Sequence, residues 1–272
     1  MSRCYAVASG KGGVGKSAFT ANLGAVISQS GSRVLIIDAD IGLRSQDALL
    51  SLENRVVYDL IDLIKGDCLP EEAILPTDGF PALFLLPAAQ FSRAKSLDPG
   101  KFSKSIQKLR DRFDYILIDC PAGIERGLRN VLKAGADETV LIATPDDISI
   151  RSAERTCQII EAKNQERPLL IVNRLDPRLI RSGDMMKASA VAQVLDLPLL
   201  GEIPEDPAVY RAQLRHELFA AYDCEARNAL VRIASRIQGK SVSFPSYGSR
   251  KLPFFSRLFP YRLKEVVPID NH

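Results

Sequence analysis

The stretch "SGKGGVGKS", Ser9 to Ser17, follows the apolar run "CYAVA" of Cys4 to Ala8 and precedes the helix-like "AFTANLGAVIS" of residues 18–28. Gly10, four further residues and then Gly15-Lys16-Ser17 satisfy G-x-x-x-x-G-K-[ST], in the strand-to-helix context that a phosphate loop requires. Glycines at 10, 12, 13 and 15 let the chain turn without Cβ clashes. Successive N–H groups, with those of the next helix, can then cradle phosphate oxygens. Lys16 is expected on the β/γ-phosphates, and the Ser17 hydroxyl on Mg²⁺. A ligand-free glycine turn is the plainer reading, but a lysine and a hydroxyl in register speak against it. Lys11 is one lysine more than such a cradle needs.

Working outward, 272 residues of 46% hydrophobic content suffice for one large α/β domain. Short β-branched runs recur as "RVLIIDAD" (33–40), "YILIDCP" (115–121), "TVLIATP" (139–145), "PLLIVNR" (168–174) and "LPLLGEIP" (197–204). They read as buried parallel strands. Helix-length segments at 101–112, 126–135, 149–164 and 184–195 lie between them. The alternation predicts a doubly wound, mostly parallel sheet flanked by helices, with ligands beyond the carboxyl ends of the strands.

Three such ends carry carboxylates, in "DAD" (38–40), "DCPAG" (119–123) and "TPDD" (144–147). Asp119 closes "ILIDCPAG", where a Walker-B-type aspartate holds the Mg²⁺ shell and Gly123 frees an N–H for the γ-phosphate. Asp38 and Asp40 follow "VLII". A carboxylate here can orient the attacking water or bond magnesium-bound waters, and we assign the water to Asp40, which lies further beyond the strand. Capping or solvation of a loop is the alternative for each carboxylate.

Five scattered cysteines, Cys4, Cys68, Cys120, Cys157 and Cys224, contain no C-x-x-C, which argues against a disulfide framework or a local zinc or iron–sulfur site. Reduced, buried thiols are expected. No signal-peptide core precedes the loop, and no run reaches the roughly 18 apolar residues of a spanning helix. A cytoplasmic protein is expected.

With its early lysine, "KGGVGKS" resembles the deviant Walker A loop of the MinD/ParA ATPases. The likeness continues, in order, through "DADIGLRSQD" (38–47), "LLPAAQ" (85–90), "DYILIDCPAGIERG" (114–127), "TPDDISIRSAER" (144–155), "RSGDMM" (181–186) and "GEIPEDPAVYRA" (201–212). It implies a SIMIBI-like P-loop NTPase that hydrolyses ATP to ADP and phosphate with Mg²⁺. It also implies an ATP-sandwiched homodimer, in which Lys11 crosses to the partner's phosphates as an arginine finger does in trans. The same pattern puts phosphate contacts on Gly12, Gly13, Val14, Gly15, Lys16 and Ser17, water positioning on Asp40 and the γ-phosphate switch on Asp119 to Gly123. Adenine recognition falls on Asn173, with Arg174 and the segment near Pro204 beside it; Asn173 could instead cap the turn "NRLDP". One departure stands out: Ser45-Gln46 replaces the Asn-Leu usual in MinD members of the family, which is expected to alter a partner-facing surface.

Charge singles out the C-terminus. Residues 240–264 hold Lys240, Arg250, Lys251, Arg257, Arg262 and Lys264 with no acid, so removing these six from 36 basic residues leaves 30 against 33 acidic ones. The whole chain is +3, the remainder −3. Within this stretch, Leu252, Phe254, Phe255, Leu258 and Phe259 cover one side of a short helix, with Ser256 and Arg257 opposite, a composition suited to an anionic membrane surface. Pro260 should stop that helix after about two turns. Residues 1–238 are therefore read as the ATPase domain, 239–249 as a linker and 250–272 as a membrane-targeting tail.

The resemblance implies a switch in division-site placement. The protein would be cytoplasmic as a monomer and peripheral on the inner face of the cell membrane as an ATP-bound dimer. A MinC-like division inhibitor is the implied effector, with a MinE-like activator or another topological regulator controlling it. An ATPase positioning flagella or other cargo is the alternative within the fold. A ParA-like DNA-partitioning module would want basic patches on the folded body, whose net −3 disfavours nucleic acid.

Overall fold

Apolar runs become strands of one sheet because both of its faces are covered. In β1 (Arg3–Ala8), Cys4, Ala6 and Ala8 pack into one layer while Tyr5 and Val7 pack into the other. The same division holds in β2 (Val34–Asp38), with Leu35 and Ile37 opposite Val34 and Ile36, and in β5 (Tyr115–Asp119), with Ile116 and Ile118 opposite Leu117. A strand buried on both faces loses polar alternation, which is why each reads as a continuous hydrophobic run. The computed structural model describes residues 2–42, 44–89, 97–123, 126–162 and 166–245.

The other strands are β3 (Leu75–Pro76), β4 (Leu83–Leu86), β6 (Glu138–Ala143), β7 (Leu169–Leu175) and β8 (Leu199–Pro204). They order as β3-β4-β2-β5-β1-β6-β7-β8, all pairs being parallel except β3 with β4. The expected doubly wound sheet is thus present, extended at one edge by the short run "LFLL" of β4, which no strand expectation covered.

Helices α1 (Lys16–Ser28), α2 (Ser45–Leu49), α3 (Leu60–Lys65), α4 (Pro70–Ala73), α5 (Pro99–Arg110) and α6 (Arg126–Lys133) precede α7 (Asp147–Glu161), α8 (Pro177–Ser182), α9 (Ala188–Leu195), α10 (Pro207–Leu214) and α11 (Glu225–Ile237). Three of them start at Asp-Pro pairs. Asp98, Asp176 and Asp206 accept backbone N–H groups as N-caps, and the proline supplies the preset first helical residue of α5, α8 and α10. The helix expected over 184–195 begins only at Ala188, because α8 ends at Gly183 in a left-handed conformation and the chain must re-enter.

After α11, the first residues of the segment read as a linker are held to the body. The Arg236 guanidinium donates to the carbonyls of Val242 at 3.1 Å, Ser243 at 3.0 Å and Leu200 at 3.0 Å, and lies 3.9 Å from the centre of the Phe244 ring. The tail residues Leu252, Phe254, Phe255, Arg257, Leu258 and Phe259 lie outside the described residues. No helix among the described residues is long and apolar enough to cross a membrane.

Candidate active site

Strand order assembles the site. β1 lies between β5 and β6, and β2 is the next neighbour of β5, so the loop after β1 meets Asp38, Asp40 and Asp119 at the carboxyl edge of the sheet. Gly15 is left-handed at φ 91° and leads straight into α1, which has neither a side-chain cap nor an acidic residue in its first turn. Its first N–H groups are thus directed at an anion that would dock on the loop. A Cβ on Gly10 would sit 2.2 Å from the Ser152 carbonyl oxygen of α7, so only glycine lets the loop lie that close.

At its centre, Lys16 Nζ donates to Asp119 Oδ1 at 2.5 Å, with both side chains buried. Burial alone would lower the Lys16 pKa, but the Asp119 carboxylate beside it prevails and holds it above the ordinary value. Lys16, expected on phosphate oxygens, is here paired with the buried Asp119 carboxylate. Asp119 Oδ2 accepts from Gln46 Nε2 at 2.7 Å, and the same nitrogen donates to the Ser17 carbonyl at 3.1 Å. The Ser45 hydroxyl donates to the Ser17 hydroxyl at 3.0 Å. The Gly123 N–H, expected to face the γ-phosphate, here donates to the Ser9 carbonyl at 3.0 Å, tying the loop after β5 to the loop after β1.

Asp38 and Asp40 have different surroundings. Fully buried Asp38 accepts the backbone N–H groups of Asp40 and Gln46, each at 3.0 Å, which fixes the turn between β2 and α2. Burial, reinforced by the nearby Asp119 charge, pushes its pKa up to about 7. Half-buried Asp40 stands beyond the strand; burial raises its pKa while Lys16 opposes this. Of the two, Asp40 has the freer position toward a reacting water.

The opposite wall comes from β6 and β7. Lys11 Nζ lies 3.8 Å from Asp146 Oδ1, and both side chains are exposed. Asp146 also accepts the Thr144 hydroxyl at 2.5 Å and the Ser149 N–H at 3.0 Å, capping α7. Lys11, Gly12, Gly13, Val14, Asp146 and Arg174 line a recess of about 240 Å³. Asn173, on β7, donates to the Val14 carbonyl at 2.8 Å while its own oxygen accepts the Arg174 N–H at 2.9 Å. It therefore braces the loop and stabilises its local turn together. Beside it, Gly15, Phe19, Pro204, Tyr210 and Phe219 line a cavity of about 360 Å³, apolar on one wall and of a size for a nucleoside base. Tyr210 and Phe219 carried no sequence expectation, since an aromatic after a strand reads equally as core. A larger groove of about 920 Å³ between α9 and β8 shares no residue with the loop.

Two readings need amendment. Gln46 is fully buried against Asp119, so it cannot present an altered face to a partner. Cys4, Cys120 and Cys157 are buried as expected, but Cys68 and Cys224 are partly exposed. Magnesium fits the donor set: a loop hydroxyl at Ser17 and a buried carboxylate at Asp119 face the phosphate cradle, and Mg²⁺ takes one or two protein oxygens, keeping waters and phosphates as its other ligands. Among the described residues no three His, Cys, Asp or Glu side chains gather into an all-protein metal cage.

A glycine loop feeding α1, a strand-end aspartate on its lysine and a base-sized cavity beside them define a P-loop ATPase. The sequence matches the family described as the CobQ/CobB/MinD/ParA nucleotide binding domain over residues 5–219, and the chain belongs to that family. The septum site-determining protein MinD of Bacillus subtilis is 39% identical over 246 residues, 89% of this chain and 91% of that protein. The MinD of the MinC:MinD cell division complex from Aquifex aeolicus superimposes with a TM-score of 0.81 at 33% identity, covering 91% of this chain and all of that one. Pyrococcus horikoshii MinD, solved with Mg-ADP, gives 0.77 at 29% identity over 87% of this chain and 96% of that one.

Proposed function

We propose that this chain is a MinD-type, Mg²⁺-dependent ATPase acting as a membrane-associated dimerisation switch in septum placement and recruiting a MinC-like division inhibitor. The observation that carries the reading is Lys11: at the loop's mouth, 43% exposed, it pairs with exposed Asp146, whereas Lys16 pairs with buried Asp119. A cation held there can reach a second subunit's phosphates, so ATP would bring two copies together and each would complete the other's site. Ser17 and Asp119 would hold magnesium, which when bound would supply charge neutralisation at the phosphates. Lys16 binds them, Asp40 orients the attacking water, and Asn173, Arg174 and Pro204 border the base. The MinC-bound Aquifex relative supports a MinC-like effector. A MinE-like activator or another topological regulator is the proposed control, and the basic apolar tail the contact with anionic lipid, which would make the dimer peripheral on the inner face of the membrane.

The test is size-exclusion chromatography with light scattering in Mg²⁺ with ATP or ADP. A dimer with ATP and a monomer with ADP support the switch; the same mass with both nucleotides contradicts it. An ATPase placing flagella or other cargo uses the same machinery and differs in its effector. DNA partitioning is disfavoured by the net negative charge outside the basic segment.

A further inference from the structure

We propose that Gln46 is the positioning residue of the metal side of this site, its carboxamide holding Asp119 in register with Ser17 and so setting the affinity for Mg²⁺. The proposal rests on the reading of Ser17 and Asp119 as the metal-side groups.

A primary amide has two N–H hydrogens, and Gln46 commits its nitrogen to two acceptors: Asp119 Oδ2 at 2.7 Å and the Ser17 carbonyl at 3.1 Å. Gln46 and Asp119 are both fully buried, so bulk water cannot take the place of this donor at Asp119. Its backbone is fixed too, since the Gln46 N–H donates to Asp38 Oδ2 at 3.0 Å. The preceding residue repeats the pattern, with the Ser45 hydroxyl on the Ser17 hydroxyl at 3.0 Å. Consecutive residues of α2 thereby touch both groups that would hold the metal.

The division of labour on Asp119 gives this contact its role. Lys16 takes Oδ1 and Gln46 takes Oδ2. When Lys16 is drawn to phosphate, Oδ1 is released toward the site, and Gln46 remains as the donor that keeps this buried carboxylate in one rotamer. A group that orients a metal-holding carboxylate through hydrogen bonds characteristically changes metal affinity when it is removed. Leucine at this position would fill similar volume but leave Asp119 Oδ2 and the Ser17 carbonyl without this donor.

Gln46→Met tests the idea because it keeps length and volume and deletes both donors. With full-length protein and a fluorescent ADP analogue, affinity is measured in EDTA and through a Mg²⁺ titration, beside Asp119→Asn. The expected result is a metal-free ADP affinity close to wild type, with the Mg²⁺ concentration for half-maximal tightening raised about tenfold or more. An unchanged Mg²⁺ midpoint overturns the proposal. So does a loss of metal-free ADP binding equal to the loss in Mg²⁺, which would make Gln46 a purely structural residue. If Asp119→Asn keeps the wild-type Mg²⁺ midpoint, the assignment of Asp119 has failed beneath it.

Discussion

Lys16 Nζ and Asp119 Oδ1 stand 2.5 Å apart with side-chain exposures of 6% and 0%, an ion pair shut off from water at the centre of the site. Removing one partner leaves a buried charge uncompensated, whereas removing both removes the problem. In nucleotide-free protein, Lys16→Met or Asp119→Asn alone is therefore expected to cost about 3–5 kcal/mol in urea unfolding. The double variant should recover much of that stability. Nucleotide affinity follows a different rule and stays lost wherever Lys16 is missing, so stability and binding should separate in the double variant.

Lys11 is expected to behave otherwise. Its partner Asp146 is exposed and 3.8 Å away, so this contact adds little to the fold. Lys11→Ala should unfold like wild type and bind ATP with similar affinity, yet stay monomeric with ATP and hydrolyse it poorly. Equilibrium binding of a fluorescent ATP analogue, run beside light scattering, checks both halves.

Asp40→Ala should slow turnover by roughly 10²- to 10⁴-fold, the range for a positioned acid–base group, while ATP-bound dimers accumulate. The check is phosphate release beside dimer mass. Wild-type turnover would leave Asp40 structural.

Far from this site, Asp137 gives a pH prediction. Burial would raise its pKa, but the Arg110 guanidinium, donating at 2.8 and 2.9 Å, and the Cys4 N–H at 2.7 Å hold it below the ordinary carboxylate value. A lowered native pKa adds stability that is complete above the unfolded value of about 3.9 and disappears as pH falls through the native one. Since the carboxylate is 47% exposed, the contribution is discounted to about 1 kcal/mol. Asp137→Asn should show that deficit at pH 7 in thermal unfolding and converge on wild type in acid.

Much of this was legible because local chemistry and tertiary position agree. "GKGGVGKS" can do little but turn, and the strands around it announce themselves because both faces are buried. Other features need the third dimension. Lys16 and Asp119 are 103 positions apart and meet only because β5 pairs with β1. Gln46 stands out in the sequence as a departure from the family pattern, yet a glutamine after a polar loop looks solvated until α2 folds it onto Asp119. Four-residue β4 is too short to show periodicity, and Tyr210 joins the base-sized cavity only through the fold of α10 beside β8.

The central claim is an ATP-controlled membrane switch, and liposome sedimentation of the full chain with ATP, ADP or no nucleotide tests it most directly, on anionic and neutral lipid. One short tail can bury only part of five apolar side chains, with on the order of 1 kcal/mol from each nearby basic residue on anionic lipid. Two tails on one dimer gain roughly 10²- to 10⁴-fold in avidity without any new contact. Pelleting is therefore expected only with ATP and anionic vesicles, weakening as salt rises and disappearing on removal of residues 250–272, while the ATPase domain keeps its nucleotide binding. Equal pelleting with ADP and ATP, or membrane binding that survives the truncation, would contradict it.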